Sequence, residues 1–333
     1  MKAIFLCENT DKIFKVFVDE TISELNKLTG IEKRIYSKEE ILSDPNAFLD
    51  VEFIFSTWAI PRLTEEEIEK CFPSLKCLFY GAGTVQQFAE PFFKRGVRIF
   101  SSWVANGIPV AEMAAAEIVL ANTGYFVTSR IFQKEGKQPA ILSFAKCNGN
   151  YGETVGIIGA GTIGKHVISL LKQYRLNILV FDPFLSDEKA SELGVKKCGL
   201  EELFEKSFAI SNHLADKNET KNILNYALFS KMRENAVFIN TGRGAQVVED
   251  DLVRILEERP DLTALLDVTC PEPPVDGHPF YTLPNCVLTP HIAGCATLEF
   301  GRMGEFMLEE CRSYLNGEPT KYEITKEMLK TMA

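Results

Sequence analysis

The sequence predicts an α/β protein of two domains, the later one built on a doubly wound parallel sheet. Three observations predict it. The 333 residues exceed what one ordinary core organises. Short apolar runs alternate with helical patterns along most of the chain. Residues 155–182, VGIIGAGTIGKHVISLLKQYRLNILVFD, place a strand, a glycine turn, a helix and a second strand ending in an acid in one unit.

That unit reads as a dinucleotide site. Val155 to Ile158 form an apolar run suited to burial on both faces of a sheet. Gly159, Gly161 and Gly164 fill G-x-G-x-x-G: the first permits the tight turn, the second admits a pyrophosphate to the backbone, and the third lets helix pack on strand. The following helix carries Ile163, Val167, Leu170, Leu171 and Tyr174 on one face, which leaves the N–H groups near Thr162 and Ile163 for phosphate. Asp182 ends the strand Ile178 to Phe181, where a carboxylate accepts from both ribose hydroxyls, and residues 183–187 offer no Arg or Lys for a 2′-phosphate. NAD is therefore expected over NADP.

The first half has its own α/β rhythm. Strands are expected at Ile4 to Leu6, Val51 to Phe55, Leu75 to Tyr80 and Val97 to Phe100. Val16 to Leu28 has helical spacing, and Thr64 with Glu67 makes a capping box that opens a short helix. From Pro109 an alanine-rich stretch reads as one long helix joining the two domains, and residues 136–152 read as irregular. Beyond Asp182 the alternation resumes. Ser186 starts a helix, Phe208 to Ser211 and Ala236 to Ile239 are strands, Glu249 to Glu258 is a helix, and Thr263 to Leu266 and Cys286 to Leu288 are strands. A helix around Glu299 to Leu315 follows and could return to the first domain.

Composition narrows the function classes. A net charge of -10 disfavours a nucleic-acid binder, no apolar run is expected to span a membrane, and MKAIFLCEN lacks the long apolar core of a secretion signal. Nine cysteines without a C-x-x-C pair suit reduced thiols and a cytoplasmic setting. Four histidines with no ligand spacing leave no metal site expected.

In an open parallel sheet ligands bind beyond the carboxyl ends of the strands. Gly159, Asp182, His213, Arg243, Asp267, Glu272 and His291 all fall at or just after such ends. Arg243, in INTGRGA, either grips a carboxylate in a planar fork or merely caps its turn. Glu272, in DVTCPEPPVDG, and His291, in VLTPHIAG, are each ambiguous alone. Together they suit hydride transfer to a 2-keto acid. The carbonyl oxygen gains charge and needs a proton donor, a carboxylate beside an imidazole favours its protonated form, and a fixed cation orients the substrate carboxylate.

On GAGTIG with Asp182, NTGRG with Arg243, LLDVTCPEP with Glu272 and LTPHIAG with His291, in that order, the chain resembles the NAD-dependent D-2-hydroxyacid dehydrogenases, the family of D-lactate, glycerate and phosphoglycerate dehydrogenases. The resemblance covers nearly the whole length. It implies that Arg243 binds substrate, that His291 is the acid/base supported by Glu272, and that Asp267 bonds the nicotinamide carboxamide with the Thr241 carbonyl nearby. It implies that Gly81, Ala82 and Gly83, in YGAGTVQQF, offer N–H groups to the substrate carboxylate, although an ordinary turn reads as well there. It further implies a Rossmann NAD domain at 102–291, inserted in a flavodoxin-like substrate domain at 1–101 and 292–333, catalysis in the cleft, and a homodimer formed through roughly 104–150.

Departures are local. In HLADKNET, Ala215 and Lys217 stand where the family usually has proline and threonine, which puts that loop's cofactor contacts in doubt. His213 is read as a pocket wall at most, His278 as a loop residue and His166 as structural. Trp58 and Trp103 either line the pocket or belong to the core, and the substrate stays open. Two rivals remain: a non-catalytic NADH-responsive, corepressor-like protein, and a formate dehydrogenase-like enzyme, which Glu272 disfavours because that reaction needs no proton relay.

Overall fold

The computed structural model describes residues 2–8 and 10–330. Its strands, in chain order among the described residues, are β1 (Lys2–Leu6), β2 (Ile35–Tyr36), β3 (Val51–Ser56), β4 (Cys77–Tyr80), β5 (Arg98–Ser101), β6 (Tyr151–Ile158), β7 (Arg175–Phe181), β8 (Lys196–Lys197), β9 (Ala209–Asn212), β10 (Val237–Asn240), β11 (Thr263–Leu266), β12 (Cys286–Leu288) and β13 (Glu323–Ile324). The chain divides into two compact units, Met1–Gly107 with Cys295–Ala333, and Ile108–Gly294. The first division falls inside the helix Trp103–Asn122.

The first unit is a sheet ordered β13-β5-β4-β3-β1-β2. The run 2-1-3-4-5 is the flavodoxin-like order, with β13 added antiparallel to β5. Phenylalanines at adjacent register positions fill one face. Phe55 stacks on Phe79, and Phe79 on Phe100, each at 4.9 Å between ring centres. All three are fully buried, and each such side chain contributes roughly 1.5–3 kcal/mol of burial. The helix Glu299–Asn316 covers this face through Met303, Met307 and Cys311. Gly304 makes the fit possible, because a Cβ there would lie 2.1 Å from the Val16 carbonyl oxygen. Buried Glu310 accepts from the amides of Lys321 and Tyr322, which fixes the chain just before β13.

The second unit is an all-parallel sheet ordered β12-β11-β10-β9-β6-β7-β8, the doubly wound 3-2-1-4-5-6 arrangement extended by one strand. The carboxyl ends of β6, β9, β10 and β11 therefore lie side by side. The helix Thr162–Leu171 buries Gly164, Val167, Ile168 and Leu171. Ile168 thus joins the expected face, and Tyr174 lies past the helix end.

Several expectations change. Val16 to Leu28 is two helices, Thr10–Val16 and Asp19–Thr29, broken where Val18 is extended and Asp19 and Glu20 open a new first turn. The long joining helix breaks at Gly124, whose φ of +70° is left-handed, into Trp103–Asn122 and Tyr125–Glu135. The stretch read as irregular contains the helix Lys137–Phe144, in which Pro139 falls in the first turn, where no intrahelical N–H is needed. Trp103–Asn122 is also long and apolar enough to cross a membrane by length and composition, which corrects the expectation that no run reaches that length. Half of that window is buried, and Ala111, Ala114, Ile118 and Ala121 pack in the second unit's core. The capping box at Thr64 and Glu67 is formed with both hydrogen bonds.

Candidate active site

The three glycines of the turn after β6 do three different jobs. Gly159 has φ +90°, and a Cβ there would lie 2.7 Å from the His213 carbonyl oxygen, so the backbone of the next loop passes directly over it. At Gly164 a Cβ would fall 2.0 Å from the Gly159 carbonyl oxygen, which is the close helix-on-strand contact expected of the third position. At Gly161 a Cβ would meet nothing within 4 Å, so the space a pyrophosphate needs is open. Gly161 and Thr162 are exposed at the start of the ten-residue helix, Ile163 is half-buried, and the free N–H groups there favour an anion.

Asp182 is held rigidly at the end of β7. One carboxylate oxygen accepts from the Ala160 amide at 2.7 Å and the other from the Phe184 amide at 2.8 Å. Each oxygen keeps a further lone pair for a ribose hydroxyl. The residues present thus fit a dinucleotide with an unphosphorylated ribose. Two cations from elsewhere in the chain reach residues 183–187: the Lys217 Nζ stands 5.4 Å from the centre of the exposed Phe184 ring, and the Lys197 Nζ donates to the Leu185 carbonyl at 2.6 Å. The loop bearing Lys217 keeps its shape without the family's proline, since Gln246 Nε2 donates to the carbonyls of Leu214 and Ala215.

Arg243 follows β10 on a turn shaped by three buried amide side chains. Asn212 donates to Asn240 at 3.0 Å and to Gln246 at 2.6 Å, and the Gly242 amide donates to Asn240 Oδ1. This network had no legible sequence signal, because Asn212 and Asn240 sit on different strands and Gln246 on the turn after Arg243. Arg243 Nη1 donates to the Gly242 carbonyl at 2.7 Å, so it does cap its own turn, yet the guanidinium makes no ion pair among the described residues. A fixed, unneutralised cation is thereby presented. Thr241 is buried with its Oγ1 lacking a partner.

His291 and Glu272 are brought together. The Nδ1 of His291 lies 2.6 Å from Glu272 Oε1, and both side chains are partly exposed. With Nδ1–H donating to the carboxylate, Nε2 is left for proton exchange with a substrate. His291 has φ +54°, a left-handed conformation unusual for histidine. Asp267 holds it there. Its carboxylate accepts from Thr289 Oγ1 at 2.6 Å, the Ile292 amide at 2.8 Å and the Ala293 amide at 2.9 Å, while its carbonyl accepts from the His291 amide. Asp267 is buried and spends these bonds on the histidine's turn, a role the residue pattern did not suggest.

The remaining histidines separate cleanly. His213 Nε2 lies 2.9 Å from Ser211 Oγ, and burial pushes its pKa down to about 4, so it is neutral near pH 7. His278 caps the short turn Pro279–Tyr281. In the first unit, Gly81 to Gly83 form a turn whose carbonyls are held by the hydroxyls of Thr57 and Ser101. The Gly81 amide is already donated to the Ser56 carbonyl, which leaves the amides of Ala82 and Gly83 as donors without an acceptor among the described residues. Trp58 and Trp103 both pack on the core of that unit, and Trp103 Nε1 is buried without a partner.

Residues 120–293 match the family described as D-isomer specific 2-hydroxyacid dehydrogenase, NAD binding domain. The chain is 33% identical over 269 residues to a glyoxylate reductase of Korarchaeum cryptofilum, covering 80% of this chain and 81% of that protein. It is 31% identical over 320 residues to a D-3-phosphoglycerate dehydrogenase of Archaeoglobus fulgidus, covering 93% of this chain but 59% of the relative. Among solved structures, a phosphoglycerate oxidoreductase from Rhizobium etli shares the fold at a TM-score of 0.82 and 24% identity, over 98% of this chain and 99% of that one. With the nucleotide turn, the acid/base pair and these matches in agreement, the chain belongs to the D-isomer specific 2-hydroxyacid dehydrogenase family.

Proposed function

We propose that this chain reversibly reduces a small 2-keto acid to its D-2-hydroxy acid with NADH. The observation that carries the reading is the 2.6 Å contact between His291 Nδ1 and Glu272 Oε1, on the same parallel sheet as the unpaired Arg243 and the nucleotide turn. NAD(H), when bound at Gly159–Gly164 and Asp182, supplies or accepts the hydride. During reduction the developing alkoxide takes a proton from Nε2 of His291, and Glu272 stabilises the ring through Nδ1. In the oxidative direction Nε2 takes that proton back. Arg243 grips the substrate carboxylate and polarises the adjacent carbonyl. The unit Ile108–Gly294 carries the cofactor in this reading, and the first unit carries the substrate amides of Ala82 and Gly83.

A homodimer working in the cytoplasm, with neither nucleic acid nor membrane as partner, completes the proposal. Its support is the net charge of -10 and the exposed Tyr125, Phe132, Leu142, Phe144 and Tyr151, apolar surface concentrated in one stretch of chain. Light scattering at twice the 37.4 kDa chain mass checks the dimer, and a monomer overturns it.

The test of function is NADH oxidation across glyoxylate, hydroxypyruvate, pyruvate, phenylpyruvate and 3-phosphohydroxypyruvate, with NADPH in parallel. Turnover of at least one is expected, with NADH preferred. Arg243→Ala should lower kcat/KM by about 100-fold, the loss of one charged carboxylate contact. No turnover with any acid while NADH still binds would overturn the enzyme reading in favour of a cofactor sensor.

A further inference from the structure

Among the described residues, the backbone from Val268 to Pro274, the segment that carries Glu272, makes no hydrogen bond to other backbone. Within the segment itself Thr269 Oγ1 donates to the Pro271 carbonyl. Such a segment needs an outside anchor to hold a side chain within 3 Å of a partner.

Two contacts supply one, and both come from the stretch that begins at Arg243. Gly244 packs directly on Thr269, where a Cβ on the glycine would lie 2.0 Å from the Thr269 carbonyl carbon. Five residues on, Glu249 opens the helix Glu249–Glu258, and its Oε1 accepts from the Cys270 amide at 2.7 Å. Among the described residues this is the one side-chain hydrogen bond that reaches the backbone of residues 269–273 from outside them. Glu249 is largely buried. Its Oε2 lies 3.8 Å from Nε2 of His278, too long for a direct hydrogen bond, and His278 Nδ1 accepts from the Phe280 amide, so the ring proton sits on the nitrogen that faces Glu249.

We propose that Glu249 is a positioning residue for the acid/base pair: by fixing the Cys270 amide it holds Glu272 against Nδ1 of His291, in register with Arg243. This rests on the function proposed above only for its kinetic readout. Glu249 touches neither substrate nor cofactor in this scheme. Its work is to tie the loop of one catalytic residue to the helix that follows another, so that the carboxylate, the imidazole and the guanidinium keep one relative geometry.

The experiment compares Glu249→Ala, Glu249→Gln and Asp250→Ala, the last an exposed neighbouring acid that does not reach the loop. Two quantities are read. The first is kcat and KM with the best 2-keto acid, alongside NADH affinity by fluorescence. The second is the downfield Nδ1–H proton resonance of His291, assigned by its loss in His291→Ala and recorded without substrate. Glu249→Ala should lower kcat by about tenfold, as misplacement of a catalytic group does, with NADH affinity unchanged and the His291 resonance broadened or lost. Glu249→Gln keeps an oxygen for the Cys270 amide and should retain both, as should Asp250→Ala. An unchanged resonance in a folded Glu249→Ala overturns the proposal, and so does a Glu249→Gln variant that behaves like the alanine. Because the resonance needs no turnover, failure of every keto acid would count against the proposed function while leaving this inference to stand or fall on the spectrum.

Discussion

Asp267 shows how much one buried carboxylate can organise. Three donors converge on it from the turn that holds His291 at positive φ. Removing the acceptor leaves the Ile292 and Ala293 amides unpaired, and Thr289 Oγ1 with only the Leu266 carbonyl at 3.5 Å, in a site where Asp267 is 3% exposed. Asp267→Ala is therefore expected to cost about 2–4 kcal/mol of stability and to lower kcat, since the left-handed histidine loses its restraint. Urea denaturation alongside kcat measures both, and a variant with wild-type stability and rate contradicts this account. His291 itself differs in kind. Its Nδ1 bond to Glu272 is partly exposed, so His291→Ala should damage turnover without comparable loss of stability.

At the scale of elements, the turn from β6 into the helix Thr162–Leu171 separates packing from binding at two glycines three residues apart. Gly164→Ala forces a methyl to 2.0 Å from the Gly159 carbonyl oxygen, so helix or strand must move. About 1–3 kcal/mol of stability is expected to go, with cofactor binding lost as a consequence. Gly161→Ala meets no protein atom and has φ -69°, which alanine adopts freely. Its melting temperature should stay within about 2 °C of wild type while NADH affinity falls by about tenfold, or about 1.4 kcal/mol, because the methyl occupies the space left for pyrophosphate. Equal losses of stability in the two variants would refute the division. The register of helix and strand was readable here from apolar spacing alone. The break at Gly124 was not, because a glycine inside a good helical pattern reads as a weak position until Cys147 is seen packed against it: a Cβ at Gly124 would lie 2.5 Å from that sulfur.

For the molecule as a whole, the helix Trp103–Asn122 carries a carboxyl the proposed function does not use. Glu117 has a buried Oε2 with no partner, and burial, then the negative charge of Asp267, pushes its pKa from 4.5 to about 7. The folded state then keeps a proton that the unfolded chain releases, so the contribution of Glu117 to stability is most favourable below about pH 4.5 and falls as the pH rises to about 7, by roughly 3 kcal/mol in all. Glu117→Gln should remove that fall and stabilise the protein more at pH 8 than at pH 5. Denaturation midpoints at the two pH values check this, and an equal effect at both would show that Glu117 is charged throughout.

The local order of this chain determined much by itself. The cofactor turn, the acid at Asp182 and the strands bearing Arg243 and His291 follow from apolar periodicity and glycine spacing, because a parallel sheet buried on both faces leaves few other ways to place such runs. Even the bounds of Glu249–Glu258 and Thr263–Leu266 were legible, since charge and turn residues flank them sharply. Tertiary structure alone decided which polar groups work together. The 2.6 Å contact of His291 with Glu272 joins positions 19 apart. The amide network of Asn212, Asn240 and Gln246 spans up to 34 residues, and the Cys270 amide finds Glu249 from 21 residues away. Hydrogen bonds act over 3 Å of space and are indifferent to separation along the chain, so no pattern in one sequence announces them.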